Sequence, residues 1–212
     1  MATDRSGGDG KENRNNTMNI SVFCGSSLPR NKEIVEAAAS LGRRIAQEGH
    51  TLVYGGSNLG LMGEVSGAAL KNGGQVIGVI PNFFSEEIIQ SQPVTQLVRV
   101  ASMAERKEYL IAQSDAFIAL PGGIGTLDET LEVMVANQLG LSQKPMGLLN
   151  TNNYYQNLIA MFQHMEKEGF YNLANAHYLF LEKEPELLLQ MLTNFKPNPD
   201  KGPVAKRLRS KA

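Results

Sequence analysis

Cysteine is almost absent: Cys24 is the only one in 212 residues. An internal disulfide is therefore excluded, and the chain suits a reducing compartment. No sign of charge is in excess, since 20 basic against 21 acidic residues leave a net charge of -1. That balance gives no basis for binding nucleic acid or a membrane surface. No apolar run approaches the roughly 20 residues of a membrane span. The charged N-terminus is followed by no hydrophobic segment, so no secretory signal is expected. His50, His164 and His177 are scattered, without the spacing of metal ligands. The common nucleotide motifs are missing too. The first expected strand runs into CGSSLPRN rather than G-x-G-x-x-G, and Leu61 stands where a P-loop beginning at Gly55 needs lysine. The expectation is a soluble, cytoplasmic protein without a metal and without NAD or ATP machinery.

With 42% hydrophobic residues, a chain of this length buries one full core, and two domains would be cramped. Residues 1–18 are polar and glycine-rich with no apolar periodicity, which predicts a disordered tail. Residues 19–195 form the expected domain. Residues 196–212 are expected to be a flexible basic tail, in which KRLR at 206–209 reads as solvated charge, with a nuclear signal as the alternative. Short apolar runs at Ile20–Cys24, Thr51–Tyr54, Val76–Ile80, Ala116–Leu120, Pro145–Leu149 and His177–Leu181 predict strands. Segments with helical apolar spacing lie between them, for example Ile34, Ala37, Ala38, Leu41 and Ile45. Alternating strands and helices of this kind predict a single-domain, Rossmann-like α/β fold, a parallel sheet with helices on both faces. The segment 82–97 is the least regular part and is expected to be a lid or a helical insertion.

Three polar turns follow predicted strands, after Cys24, Tyr54 and Leu120. Ligands in such folds bind at the carboxyl ends of strands, so the three turns can share one crevice. The richest stretch is 115–140, DAFIALPGGIGTLDETLEVMVANQLG. Its strand breaks at Pro121-Gly122-Gly123-Ile124-Gly125-Thr126, and a helix follows. Glycines let backbone approach a ligand closely, and a helix start offers unpaired N–H groups to phosphate. A plain tight turn is the alternative reading of the same glycines. Gly55, Gly56 and the turn to Gly60 would line the base or ribose side, while Ser26 with Gly25 and Ser27 either joins the crevice or simply caps a helix. Glu129 also has two readings. It can close a capping box with Thr126, or stand beside the phosphate site as a reactive carboxylate. Arg106 and Lys107 are adjacent on a helix and diverge by about 100°, so one faces the site and the other its rim, unless both are solvated.

Pro-Gly-Gly-x-Gly-Thr-x-x-Glu, ending at Glu129, together with Met103-x-x-Arg106-Lys107, resembles the two motifs of the LOG family of phosphoribohydrolases. The similarity runs from about Ile20 to Leu192. The resemblance implies hydrolysis of the N-glycosidic bond of a nucleoside 5′-monophosphate, typically of a cytokinin, to free base and ribose 5-phosphate. It implies no cofactor, catalysis by Arg106 and Glu129, and substrate binding by Lys107, Met103 and the loop Gly122, Gly123, Ile124, Gly125 and Thr126. It also implies a homodimer formed through helices that bracket the site. The chain departs from the family at Ala136, where a tryptophan is common. A substrate-contacting glutamate after Pro81 is matched by Glu86 or Glu87, with Ile88 at the gapless position. Both departures bear on base preference. No lysine sits in a recognisable pyridoxal-phosphate setting, so the older lysine decarboxylase label of such sequences has no support. The alternative is a Rossmann-like nucleotide-binding or cofactor-carrier protein without turnover.

Overall fold

In the computed structural model, residues 17–85, 94–173 and 176–197 are described. The expected tails lie outside them over 1–16 and 198–212, as do Glu86, Glu87 and Ile88. Seven strands form one parallel sheet in the order β4-β3-β2-β1-β5-β6-β7. The strands are β1 (Asn19–Phe23), β2 (Thr51–Tyr54), β3 (Gln75–Pro81), β4 (Gln96–Val100), β5 (Ala116–Ala119), β6 (Met146–Leu149) and β7 (Leu179–Glu182). The helices are α1 (Lys32–Gln47), α2 (Gly60–Lys71), α3 (Met103–Gln113), α4 (Ile124–Leu139), α5 (Gln156–Lys167) and α6 (Pro185–Thr193). This is the expected α/β architecture.

Side chains alternate across a strand, and the two cores divide accordingly. Ile20, Val22, Leu52, Tyr54 and Ile118 pack on one face with Leu41, Ile45, Val65 and Leu188 from α1, α2 and α6. Phe23, Val53, Phe117 and Ala119 pack on the other face with Leu110, Val133, Met134 and Phe162 from α3, α4 and α5. The central strands therefore read as continuous apolar runs, as a sheet covered on both faces demands.

The seventh strand is the departure from expectation. Residues 82–97 were expected as a lid or helical insertion, but Gln96 and Leu97 already belong to β4, which pairs with β3 at the sheet edge. Its sequence QLVRV is only partly buried. An edge strand half open to water carries a polar-apolar mixture, with Arg99 inside it, and lacks the apolar run that marks the interior strands.

The order of strands creates the site. The chain winds outward from β1 to β4, then returns to the other side of β1 and continues through β5 to β7. Between β1 and β5 the winding reverses, so their following loops part to opposite faces and leave a crevice at their carboxyl ends.

The α1–α2 contact supporting this crevice depends on Gly42. A Cβ there would lie 2.1 Å from the Val65 carbonyl oxygen. Helix propensity alone favours alanine over glycine by about 1 kcal/mol, but the backbone of α2 cannot yield as a side chain would. Gly42→Ala is therefore expected to destabilise the fold by about 1–3 kcal/mol in urea unfolding. A gain in stability would show that α1 and α2 are not in close contact.

Candidate active site

Local chemistry sets the start of α3. Ser102 Oγ accepts from the Glu105 amide at 3.1 Å, and the Glu105 carboxylate accepts from the Ala101 amide at 2.7 Å. This reciprocal arrangement satisfies the Glu105 amide in the first turn and the Ala101 amide just before the cap, and places Arg106 just beyond it. The expected alternative box at Thr126–Glu129 is not formed. Helix α4 begins earlier, with Gly123 as its cap, and Glu129 lies beyond the first turn.

Arg106 is 7% exposed and points under the crevice. Its Nε donates to the Val79 carbonyl at 3.1 Å, and a terminal nitrogen donates to Glu129 Oε1 at 3.0 Å. Gly55 makes room for it: a Cβ at that position would fall 2.0 Å from a guanidinium nitrogen. Gly56 and Gly60 have positive φ, 80° and 57°, so both sit where L side chains are strained. Gly60 also abuts the Ser26 backbone, which joins the turn after β2 to the turn after β1.

The Glu129 side chain is 11% exposed. Burial pushes its carboxyl above the ordinary carboxylate range, against the pull of the Arg106 charge. Asp128 beside it pushes the same way as burial, and Lys107 opposes. Cys24 lies buried at the end of β1 within reach of both charges; burial first, then Glu129, raises its thiol, so it is not a thiolate nucleophile near neutrality.

A cleft of about 420 Å³ opens over Arg106 and Gly55. Ser26, Ser27 and Ser57 line its polar part, and Leu59, Met62, Ile80 and Phe84 its apolar part. Of these, Ser57, Leu59, Met62, Ile80 and Phe84 were not singled out from the sequence. Ser57 and Leu59 lay inside the recognised turn, Ile80 is at the end of β3, and Phe84 follows it in the segment 82–97 that was expected as a lid or insertion.

Beside this cleft, the loop after β5 meets the loop after β1, with Gly25 N–H donating to the Pro121 carbonyl at 3.4 Å. Leu127 makes the first backbone bond of α4, to the Gly123 carbonyl, so the amides of Ile124, Gly125 and Thr126 have no intrahelical acceptor. Thr126 is buried, and a Cβ on Gly122 would strike its hydroxyl. Gly123 and Gly125 differ: nothing lies within 4 Å of a Cβ built on either, and neither has positive φ. The fold itself does not need glycine at those two positions. Tyr154 donates to the Gly122 carbonyl and Tyr155 to the Leu120 carbonyl at 2.6 Å, bracing the loop from behind. Tyr155 is buried and Tyr154 about half exposed, and neither was singled out from the sequence.

Arg106, Glu129, Gly55, Gly56 and Ser26 thus come together at the switch point. Neither Lys107 nor Glu129 lines the cleft itself; Glu129 meets it through Arg106, while Lys107 pairs with Asp128 at 3.0 Å and Glu132 at 2.8 Å. Met103 and Ile124 are exposed beside the site. Among the described residues, no three His, Cys, Asp or Glu side chains are grouped to hold a metal, and no helix is long and apolar enough to cross a membrane.

Fold and crevice define a Rossmann-like α/β protein with an anion-receptive glycine loop and a buried Arg–Glu pair at its switch point. Comparison with known proteins agrees. A family model described as "Possible lysine decarboxylase" matches residues 62–192. A rice protein named probable cytokinin riboside 5′-monophosphate phosphoribohydrolase LOGL6 is 43% identical over 182 residues, 86% of this chain and 73% of that one. The Arabidopsis thaliana cytokinin riboside 5′-monophosphate phosphoribohydrolase LOG1 is 40% identical over 182 residues, 86% of this chain and 85% of that one. Among solved structures, the molybdenum cofactor binding protein of Rippkaea orientalis superposes with a TM-score of 0.61 at 24% identity, covering 84% of this chain and 96% of that one. The Moco carrier protein of Chlamydomonas reinhardtii gives 0.61 at 22% identity, covering 92% and 99%. These two show the fold alone. The chain belongs to the LOG family of phosphoribohydrolases.

Removing the guanidinium would leave Glu129 enclosed without its counter-charge. Arg106→Met is expected to cost about 3–5 kcal/mol at about pH 8. A carboxyl whose folded pKa lies above its unfolded value holds its proton more tightly when folded. The cost is therefore full above the folded pKa and lifts as pH falls through it. Urea unfolding at about pH 5 and pH 8 should show the larger deficit at the higher pH. Equal deficits would mean that Glu129 is not the group left uncompensated.

Proposed function

We propose that this protein hydrolyses the N-glycosidic bond of a nucleoside 5′-monophosphate of the cytokinin class, such as isopentenyladenosine monophosphate, and of AMP. Water adds at ribose C1′, the C1′–N bond breaks, and free base and ribose 5-phosphate leave. The observation that carries this reading is the buried Arg106–Glu129 pair set beside a glycine loop whose Gly123 and Gly125 the fold does not require. Space kept open over a helix start suits a phosphate, which backbone amides and the helix dipole attract. The phosphate then lies at the Gly122–Thr126 turn, and the sugar reaches toward Glu129.

Cleaving the bond builds oxocarbenium character at C1′, which a nearby carboxylate stabilises while it orients or deprotonates water. Arg106 holds the carboxylate in place and favours its ionised form against burial. Ser26 and Gly55 line the ribose and base side with Gly56 turning the backbone behind them, and the apolar side chains of Leu59, Met62, Ile80 and Phe84 favour a base with an apolar substituent. Met103 borders the site from α3, and Glu87 is carried over from the family motif alone. A carrier without turnover would share the fold, but binding a phosphate gives no use for an enclosed carboxylate beside it.

Incubation with isopentenyladenosine monophosphate and with AMP should release free base, read by chromatography. Glu129→Gln keeps shape but not charge and is expected to lose about 10²–10⁴-fold in turnover. Gly123→Ala should keep its melting temperature, since a methyl there meets nothing in the protein, while substrate binding weakens. No base from either nucleotide, with ligand bound and unchanged, would favour the carrier.

The protein is further proposed to be a homodimer. Leu131, Val135 and Leu139 repeat every fourth residue along α4, and all are exposed, with Leu141 beyond them. Such a stripe on one helix face is suited to burial against a second copy. Light scattering at micromolar concentration should give twice the chain mass; a monomer mass would refute the assignment.

A further inference from the structure

Adjacent helical residues point about 100° apart, and in α3 this sends Arg106 inward and Lys107 sideways onto α4. The Lys107 ammonium lies 3.0 Å from Asp128 Oδ2 and 2.8 Å from Glu132 Oε2. Asp128 and Glu132 are four residues apart, so they share a face of α4 and would repel one another without a cation between them. The Glu132 oxygen that meets the ammonium is shut off from solvent. Consecutive residues of α3 thus grip consecutive residues of α4: Arg106 holds Glu129, and Lys107 holds Asp128 with Glu132 a turn further on. Helix α3 otherwise packs on β1, β3 and β4, and α4 on β1 and β6. The two side-chain bridges add to the apolar core that Leu110 of α3 and Val133 of α4 share, and they link the helices at the end next to the crevice.

We infer that Lys107 is a positioning residue, which pins α3 to α4 so that Arg106 and Glu129 meet and offsets the Asp128 charge beside Glu129, instead of gripping the substrate phosphate. The inference rests on the hydrolase reading above. Its electrostatics are consistent with the geometry. Both carboxylates raise the Lys107 pKa, and Lys107 in turn pulls Glu129 down. The charged or titratable groups facing Glu129 are Arg106 and Lys107 from α3, Asp128 on its own helix, and Cys24 just after β1.

The test is steady-state hydrolysis of isopentenyladenosine monophosphate across pH by wild type, Lys107→Met and Lys107→Arg, with melting temperatures as control. The same Lys107→Met change is repeated in an Asp128→Asn/Glu132→Gln background. Misplaced catalytic groups lose roughly 10- to 100-fold in rate, so Lys107→Met should lower kcat by that order while KM changes less than about threefold. Its acidic limb should move to higher pH, because a cation that favours ionised Glu129 is gone. Lys107→Arg should restore most of the rate. In the background lacking both carboxylates, the methionine should have little further effect, the signature of coupled residues. A KM raised about tenfold or more, with kcat and the acidic limb unmoved in both backgrounds, would overturn the inference, as would no change in any parameter. If wild type releases no base at all, the hydrolase reading fails and binding decides the role of Lys107. An AMP dissociation constant unchanged by Lys107→Met then supports a role apart from phosphate, and a loss of about tenfold overturns it.

Discussion

The contact between the Arg106 guanidinium and the Glu129 carboxylate governs the arrangement of everything around it. Both side chains are about nine-tenths removed from water, where neither charge is tolerable alone. The surroundings are shaped to keep them together. Gly55 gives up a side chain to admit the guanidinium, the Val79 carbonyl takes its Nε proton, and the Ser102–Glu105 cap sets where α3 begins. On the other side, α4 starts at a glycine cap, so Glu129 reaches back toward α3 instead of closing its own helix end. Burial leaves the carboxyl closer to neutrality than an exposed glutamate, and the arginine opposes that drift.

Topology explains why these residues meet. Reversal of winding between β1 and β5 opens a crevice at the carboxyl ends of the strands, and the turns after β1, β2 and β5 all converge there. The fold by itself does not decide what happens in that crevice. Cofactor-binding and carrier proteins share the architecture at low identity, while the relatives near 40% identity carry the name of a hydrolase. What separates a reader of phosphate from a catalyst is chemistry at the glycosidic side. In the proposed reading that chemistry is the Glu129 carboxylate enclosed with Arg106, beside an open glycine loop.

Much of this was legible from the chain alone. Interior strands appear as apolar runs because both sheet faces are covered, and the helices show apolar spacing because one stripe of each is buried. The stretch 115–140 announced a strand, a glycine turn and a helix, and its motif with Arg106 and Lys107 pointed to the family. These features are local: they follow from what a residue's immediate neighbours do along one strand or one helix.

The remaining features depended on contacts between distant segments. β4 escaped notice because an edge strand, wet on one side, mixes Gln96 and Arg99 with its apolar residues. Glu129 fitted a capping box equally well by sequence, and only the approach of Arg106, 23 positions away, determined its partner. The reasons for individual glycines were likewise invisible. Gly55 is bare because an arginine from another helix passes there, whereas Gly123 and Gly125 are bare where the protein leaves open space. A glycine's purpose lies in what approaches it through space, and a charge's role lies in which opposite charge folding brings to it. Sequence determined the elements and the chemical inventory. Tertiary packing decided which charges pair, and so which arginine, lysine and glutamate do which work.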